Sequence, residues 1–265
     1  MSLVTQKVSH GVKNIVFNCG GLKKDERVSI IYDKKTLPLI PFFEYWIKQR
    51  TKCLKLVQDD TLKMHGSEPK QMTAFVMKNS DLIFALTSFS IAHTNARIKA
   101  CLSGSRFLSL PEYSLELLQD YSITQNFKKC FVNVSKMTRF FSEGKKIKVL
   151  SDKGTDIDLD INGRFGNCCP GYVLKSGELG SPPDIESNIS PNEFKSQGKI
   201  VVDGSIPHPF IGLLNEDVEL IVEDGFIKKI KTGFFLKKKI DSIFKSVPLR
   251  KSKILAECGI GFNPK

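Results

Sequence analysis

Apolar residues fall in short continuous runs over the first half of the chain. Val28–Tyr32, Leu54–Val57, Asp81–Leu86 and Arg106–Leu110 read as strands. Between them lie stretches with helical spacing: Leu39–Arg50, with Phe42, Tyr45 and Trp46; Pro69–Lys78, with Met72, Phe75 and Val76 on one side; and His93–Leu102. Unbroken apolar strands alternating with helices predict a parallel sheet covered on both faces. The expected fold class is therefore α/β, with an open parallel-sheet α/β domain over residues 1–135.

Beyond residue 135 the period changes. Lys145–Leu150 and Thr155–Ile161 alternate polar and apolar positions around the turn Ser151-Asp152-Lys153-Gly154. After a Gly/Pro-rich stretch, Gly163–Pro183, come further short strands at Ser187–Ile189, Lys199–Asp203, Val218–Glu223 and Phe226–Lys231. Asp224-Gly225 between the last two is a two-residue hairpin turn by composition. Leu236–Val247 carries Leu236, Ile240, Ile243, Phe244 and Val247 on one helical stripe, read as a helix packed on the β layer. Lys253–Phe262 reads as an apolar strand, and further chain is expected after its closing turn. Residues 136–265 thus predict a β-rich (α+β) second domain, incomplete at its C-terminal side.

Composition narrows the classes. The chain has 265 residues, 41% of them hydrophobic, enough for two cores. No run reaches the ~20 apolar residues of a membrane span. The polar N-terminus lacks a secretory apolar region, so a cytoplasmic protein without a membrane partner is expected. Seven scattered cysteines without a C-x-x-C pair read as reduced, mostly buried thiols. The net charge of +12 gathers late: Lys228, Lys229, Lys231, Lys237, Lys238, Lys239, Lys245, Arg250, Lys251 and Lys253 face one acid, Asp241. No stacking motif or zinc finger accompanies these cations, so they read as a solvated face and not a nucleic-acid interface.

Four stretches carry candidate chemistry. In Ser88–Cys101, Ser88 or Ser90 can cap the helix, and His93 and Arg97, spaced i, i+4, share a face that could hold an anion at the helix start. The alternative is a capping and packing cluster. In Gly154–Gly163, strand alternation puts Asp156, Asp158 and Asp160 on one face, either for a hard cation or as a wet surface. Glu186 stands on a segment braced by prolines in Ser181–Pro191. Glu257 sits in the apolar run Leu255–Pro264, where a buried carboxylate would need a cation or several donors.

Taken together, "HTNARIKA" at 93–100, "GTDIDLDINGR" at 154–164, "PPDIESNISP" at 182–191, "GKIVVDGSI" at 198–206 and "AECGIGFNP" at 256–264 resemble the aminopeptidase T/AmpS family of metallopeptidases. The resemblance implies an N-terminal α/β domain followed by a β-rich metal-binding domain, and removal of N-terminal residues from peptides by a dinuclear site. It implies divalent metal (zinc, cobalt or manganese), a peptide or other small-molecule substrate and a homodimer. Glu186 and Glu257 match the family's metal-ligand positions, although Ser187 and Asn188 replace the usual apolar pair. The family's downstream histidine and aspartate ligands have no counterpart here, so this chain is expected to be a fragment that binds metal weakly and turns over little substrate. A neighbouring branch resembles the iron-dependent, ring-cleaving 2,5-dihydroxypyridine dioxygenases; it favours histidine where this chain has Glu257, which ranks the hydrolase first. A non-enzymatic binding module is the third reading.

Overall fold

The computed structural model describes residues 3–208, 210–245 and 252–264. In chain order, helix α1 (Leu3–Asn14) runs into a π-helical turn (Ile15–Cys19), followed by β1 (Val28–Tyr32), α2 (Ile40–Lys48), β2 (Leu54–Gln58), α3 (Gln71–Lys78), β3 (Leu82–Leu86), α4 (Asn95–Leu102) and β4 (Arg106–Ser109). The short α5 (Tyr121–Thr124) precedes the long α6 (Phe127–Glu143). Strands β5 (Lys146–Leu150), β6 (Asp156–Asp160), β7 (Asn167–Cys169), β8 (Leu179–Gly180), β9 (Glu186–Ile189) and β10 (Gln197–Val202) follow. The last elements are β11 (Ser205–Ile206), β12 (Gly212–Leu213), β13 (Val218–Glu223), β14 (Phe226–Lys231), α7 (Phe234–Lys245) and β15 (Cys258–Gly261).

These elements pack as two units. The first comprises Met1–Val134, Cys169–Glu186 and Gly261–Lys265. Its sheet has the order β2-β1-β3-β4-β8, every pair parallel. This is the α/β arrangement that the alternating apolar runs predict. Because side chains alternate across a strand, each strand feeds two cores. Val28, Ile30, Leu82, Phe84 and Leu108 face Val8, Val12, Ile15 and Val16 of α1 and its π turn, and Phe43 and Ile47 of α2. Ile31, Ile83, Ala85 and Phe107 face Met77 of α3 and Ala96, Ala100 and Cys101 of α4. Two later pieces complete the unit: β8 supplies the fifth strand, and Phe262 donates its N–H to the Ile185 carbonyl at 2.6 Å.

Gly11 explains how α1 can lie where it does. A Cβ there would stand 1.9 Å from the carbonyl oxygen of Leu118. The absent side chain therefore lets a helix approach another segment's backbone, at the usual helix-propensity cost of about 1 kcal/mol. At the far end of the π turn, the Arg106 guanidinium donates to the Gly20 carbonyl at 3.3 Å and clamps Glu26 at 2.8 and 2.9 Å. Both side chains are nearly inaccessible.

The second unit comprises Ser135–Cys168 and Ser187–Ile260. Its main sheet is antiparallel, in the order β14-β13-β10-β6-β5. Asp224 and Gly225 turn β13 into β14 with φ of 51° and 71°, the left-handed values the two-residue turn demands. Ile240 of α7 is buried with Val218 and Ile230, and Leu236 and Phe244 pack beside it, as the stripe on this helix predicts. Val247, expected at its end, and Arg250 and Lys251 of the basic run lie outside the described residues. A small sheet has the order β15-β9-β7.

Several expectations need correction. Leu3–Asn14 and Ile15–Cys19 form helix where no element is expected, and α6 is a further helix the sequence reading omits. The strand expected over Lys253–Phe262 is confined to Cys258–Gly261; Ile254 makes a single bridge to Phe226. None of the seven cysteines is in a disulfide, but only Cys19 and Cys101 are buried, while Cys53 and Cys168 are exposed.

Candidate functional site

The stretch around His93 is a local capping structure. Thr94, not Ser88 or Ser90, is the N-cap of α4, its hydroxyl accepting from Arg97 N at 3.2 Å. The helix start is already occupied by the chain's own anion: Glu68 accepts from Asn95 N at 2.6 Å and Ala96 N at 3.2 Å. That carboxylate meets the positive end of the helix dipole where an external anion was considered. His93 is exposed, and Arg97 Nε donates to the Ala92 carbonyl at 2.5 Å. Ser90 is held elsewhere, its N–H donating to His65 Nδ1 at 3.1 Å.

The three aspartates of β6 share a face, as the alternation predicts, with Ile157, Leu159 and Ile161 buried opposite. They are balanced by cations already in the chain. Lys148 pairs with Asp156 at 2.5 Å and with Asp158 at 3.2 Å. Asp160 accepts from Asn192 Nδ2 at 2.5 Å and lies 3.9 Å from Lys195, and its pKa falls below the usual carboxylate range, chiefly through the Asn192 bond. The face is a wet, charge-paired surface.

Glu186 opens β9 and is half-buried, while Ser187, Asn188 and Ile189 after it are buried. It belongs to the first unit. Glu257 belongs to the second unit, directly before β15, and is exposed. The expectation of a carboxylate sunk in an apolar strand is therefore wrong: β15 is a short strand at the end of the sheet order, and Gly259, Ile260 and Gly261 are exposed with Glu257. Edge strands keep one side open to water, so apolar composition alone does not bury them.

Among the described residues, no group of three or more His, Cys, Asp or Glu side chains is arranged to hold a metal ion. Two carboxylates without imidazole do not fit an iron or zinc centre, both of which take nitrogen donors. His10, His65, His93 and His208 stand in separate settings: a cleft wall, a loop hydrogen bond, an exposed turn, and a turn in which His208 Nδ1 accepts from Phe210 N. The described donors do not fit such a centre.

A carboxylate the sequence reading passed over is more deeply held. Asp59, at the carboxyl end of β2, is fully buried and accepts from Thr61 Oγ1 at 2.5 Å, Lys70 N at 2.9 Å and Thr73 Oγ1 at 2.8 Å. Burial pushes its pKa up, but these donors outweigh burial and hold it below the usual range. Its role is to fasten the β2–α3 loop. Thr73, fourteen residues on, is separated too far for a sequence pattern to announce.

The chain thus combines a parallel α/β unit with an antiparallel β unit. Residues 44–265 match the family of 2,5-dihydroxypyridine 5,6-dioxygenases, NicX, and the chain belongs to that family. Its fold is similar to 2,5-dihydroxypyridine dioxygenase from Pseudomonas putida KT2440, with a TM-score of 0.76 at 16% identity, covering 98% of this chain and 77% of that one. It is also similar to AmpT from Thermus thermophilus, with a TM-score of 0.70 at 11% identity, covering 97% of this chain and 78% of that one. No curated protein sequence matches the chain. The aminopeptidase resemblance therefore holds for the fold, and the family is the one ranked second from sequence. No helix among the described residues is long and apolar enough to cross a membrane.

Proposed function

We propose that the protein serves the oxygen-dependent opening of a hydroxylated pyridine ring, in place of the aminopeptidase activity that the sequence motifs favoured. The observation that supports this reading is the match of residues 44–265 to the dioxygenase family. Iron is the metal this reading implies; Glu186 and Glu257, the carboxylates expected from sequence, do not by themselves make an iron centre, which also takes nitrogen donors. Among the described residues no group of three or more His, Cys, Asp or Glu side chains could hold the ion, so the reading rests on the family match.

The test is oxygen uptake by the anaerobically iron-loaded protein on addition of 2,5-dihydroxypyridine, set beside leucyl-p-nitroanilide hydrolysis with added zinc or cobalt. The expected pattern is uptake that requires both ferrous iron and the pyridine, with no release of nitroaniline. Chelator-sensitive nitroaniline release without oxygen uptake would overturn the reading.

A further inference from the structure

A cleft of about 680 Å³ opens on the first unit between α1 with its π turn and the end of α2. Lys13, Phe17 and Asn18 form one wall, and Trp46, Gln49 and Arg50 the other. The rings of Phe17 and Trp46 meet edge to face with centroids 6.0 Å apart. Each carries a cation: Lys13 Nζ lies 5.1 Å from the Trp46 centroid, and the Arg50 guanidinium 5.4 Å from that of Phe17. Asn18 and Gln49 add exposed amide groups to the rim.

The charge of this cleft has one sign. No carboxylate lines it. Among the described residues, neither Lys13 nor Arg50 stands in an ion pair. Lys148, Arg106, Lys231 and Lys237, by contrast, each have an acidic partner. Two unpaired cations against low-dielectric ring walls concentrate a positive field in a concave site. The π turn, an irregularity common at functional positions, contributes Phe17 and Asn18 directly to the wall.

We propose that this cleft binds a small molecule joining a flat aromatic ring to an anionic group. The ring lies against Phe17 and Trp46, and the anion is drawn by Lys13 and Arg50. The site is independent of the metal reading: it shares no residue with Glu186 or Glu257, and its α1 wall precedes the residues matched to the dioxygenase family.

Trp46 is the only tryptophan in the chain, so its emission reports the cleft without labelling. The probes are benzoate and phenyl phosphate, with benzamide and inorganic phosphate as ring-only and anion-only controls. We expect a saturable change in Trp46 emission with benzoate, phenyl phosphate or both, the preference identifying carboxylate or phosphate as the anion. Lys13→Ala or Arg50→Ala, both at exposed positions, should weaken binding about two- to fivefold, the range of a solvated charge contact. Lys78→Ala, exposed on α3, should leave it unchanged. The proposal is overturned by no saturable change with either probe up to about 10 mM, where even a millimolar site would be mostly filled. It is equally overturned by binding that survives the double variant Lys13→Ala/Arg50→Ala, or by either control matching the probes.

Discussion

Replacing Glu26 by glutamine tests how the first unit is fastened. The Arg106 side chain is 6% exposed and that of Glu26 13%. Two charge-assisted bonds of 2.8 and 2.9 Å join them, and the backbone N–H of Lys23 donates to Glu26 at 2.8 Å. In Glu26→Gln the guanidinium keeps its charge and its bond to the Gly20 carbonyl but loses its counter-ion. An unbalanced buried charge of this kind costs about 3–5 kcal/mol when nothing replaces the partner; the amide oxygen can still accept one bond, so about 2–4 kcal/mol is expected. Removing both charges with Glu26→Gln/Arg106→Met should be far milder, within about 1–2 kcal/mol of the parent, since neither ion is then stranded. Equilibrium urea unfolding of parent, singles and double supplies the cycle. The pH dependence is a second reading. Burial alone would raise the Glu26 pKa, but the bonds from Arg106 and Lys23 and the Arg106 charge bring it below its ordinary 4.5. A depressed carboxylate contributes stability that is present above the unfolded pKa and lost as pH falls through the folded one. The Glu26→Gln variant should therefore lose less stability than the parent on acidification below about pH 4.5. A single variant costing under about 1 kcal/mol, or a double variant as damaged as the sum of its singles, would refute this reasoning.

Gly11→Ala should destabilise the protein by about 1–3 kcal/mol despite alanine's better helix propensity, because the new methyl meets the Leu118 carbonyl oxygen; thermal unfolding checks the sign. Asp59→Asn exchanges one acceptor oxygen for a donor in a site where every partner donates, at a cost of about 2–3 kcal/mol, with faster amide exchange expected in the β2–α3 loop. Glu68→Gln should cost about 0.5–1 kcal/mol and fray the first turn of α4, visible as lost amide protection at Asn95 and Ala96.

Strands β1 and β3 of the first sheet were legible because they are short apolar runs buried on both faces, a pattern surface loops do not mimic. The hairpin at Asp224-Gly225 was legible because its backbone conformation admits few residues. Helix α6 was readable in principle: Phe127, Cys130, Val134, Met137 and Phe141, at helical spacing, are all buried or half-buried. Charged neighbours such as Lys128, Lys129, Lys136 and Arg139 hid that stripe, although Asn126 directly before it is a capping residue type. Helix α1 was hidden by Gly11, which reads as a breaker and acts as a contact point. The two residues of β8 lie in a glycine- and proline-rich stretch with no period to detect. Glu257 shows the opposite error, since apolar neighbours suggested burial that the end of a sheet does not provide. The same residue ranked the hydrolase above the dioxygenase, and one position proved a poor guide to chemistry on a shared scaffold.

The parallel sheet takes its fifth strand from Leu179–Gly180, more than a hundred residues after β1. During synthesis, then, the nascent chain cannot finish this sheet when its first four strands have emerged. Until residue 180 leaves the ribosome, β4 presents an open ladder of backbone groups, the kind of edge that recruits other strands and chaperones. A fragment ended near residue 135 would keep that exposure permanently, and expression of such a piece would favour aggregates over a soluble half-protein.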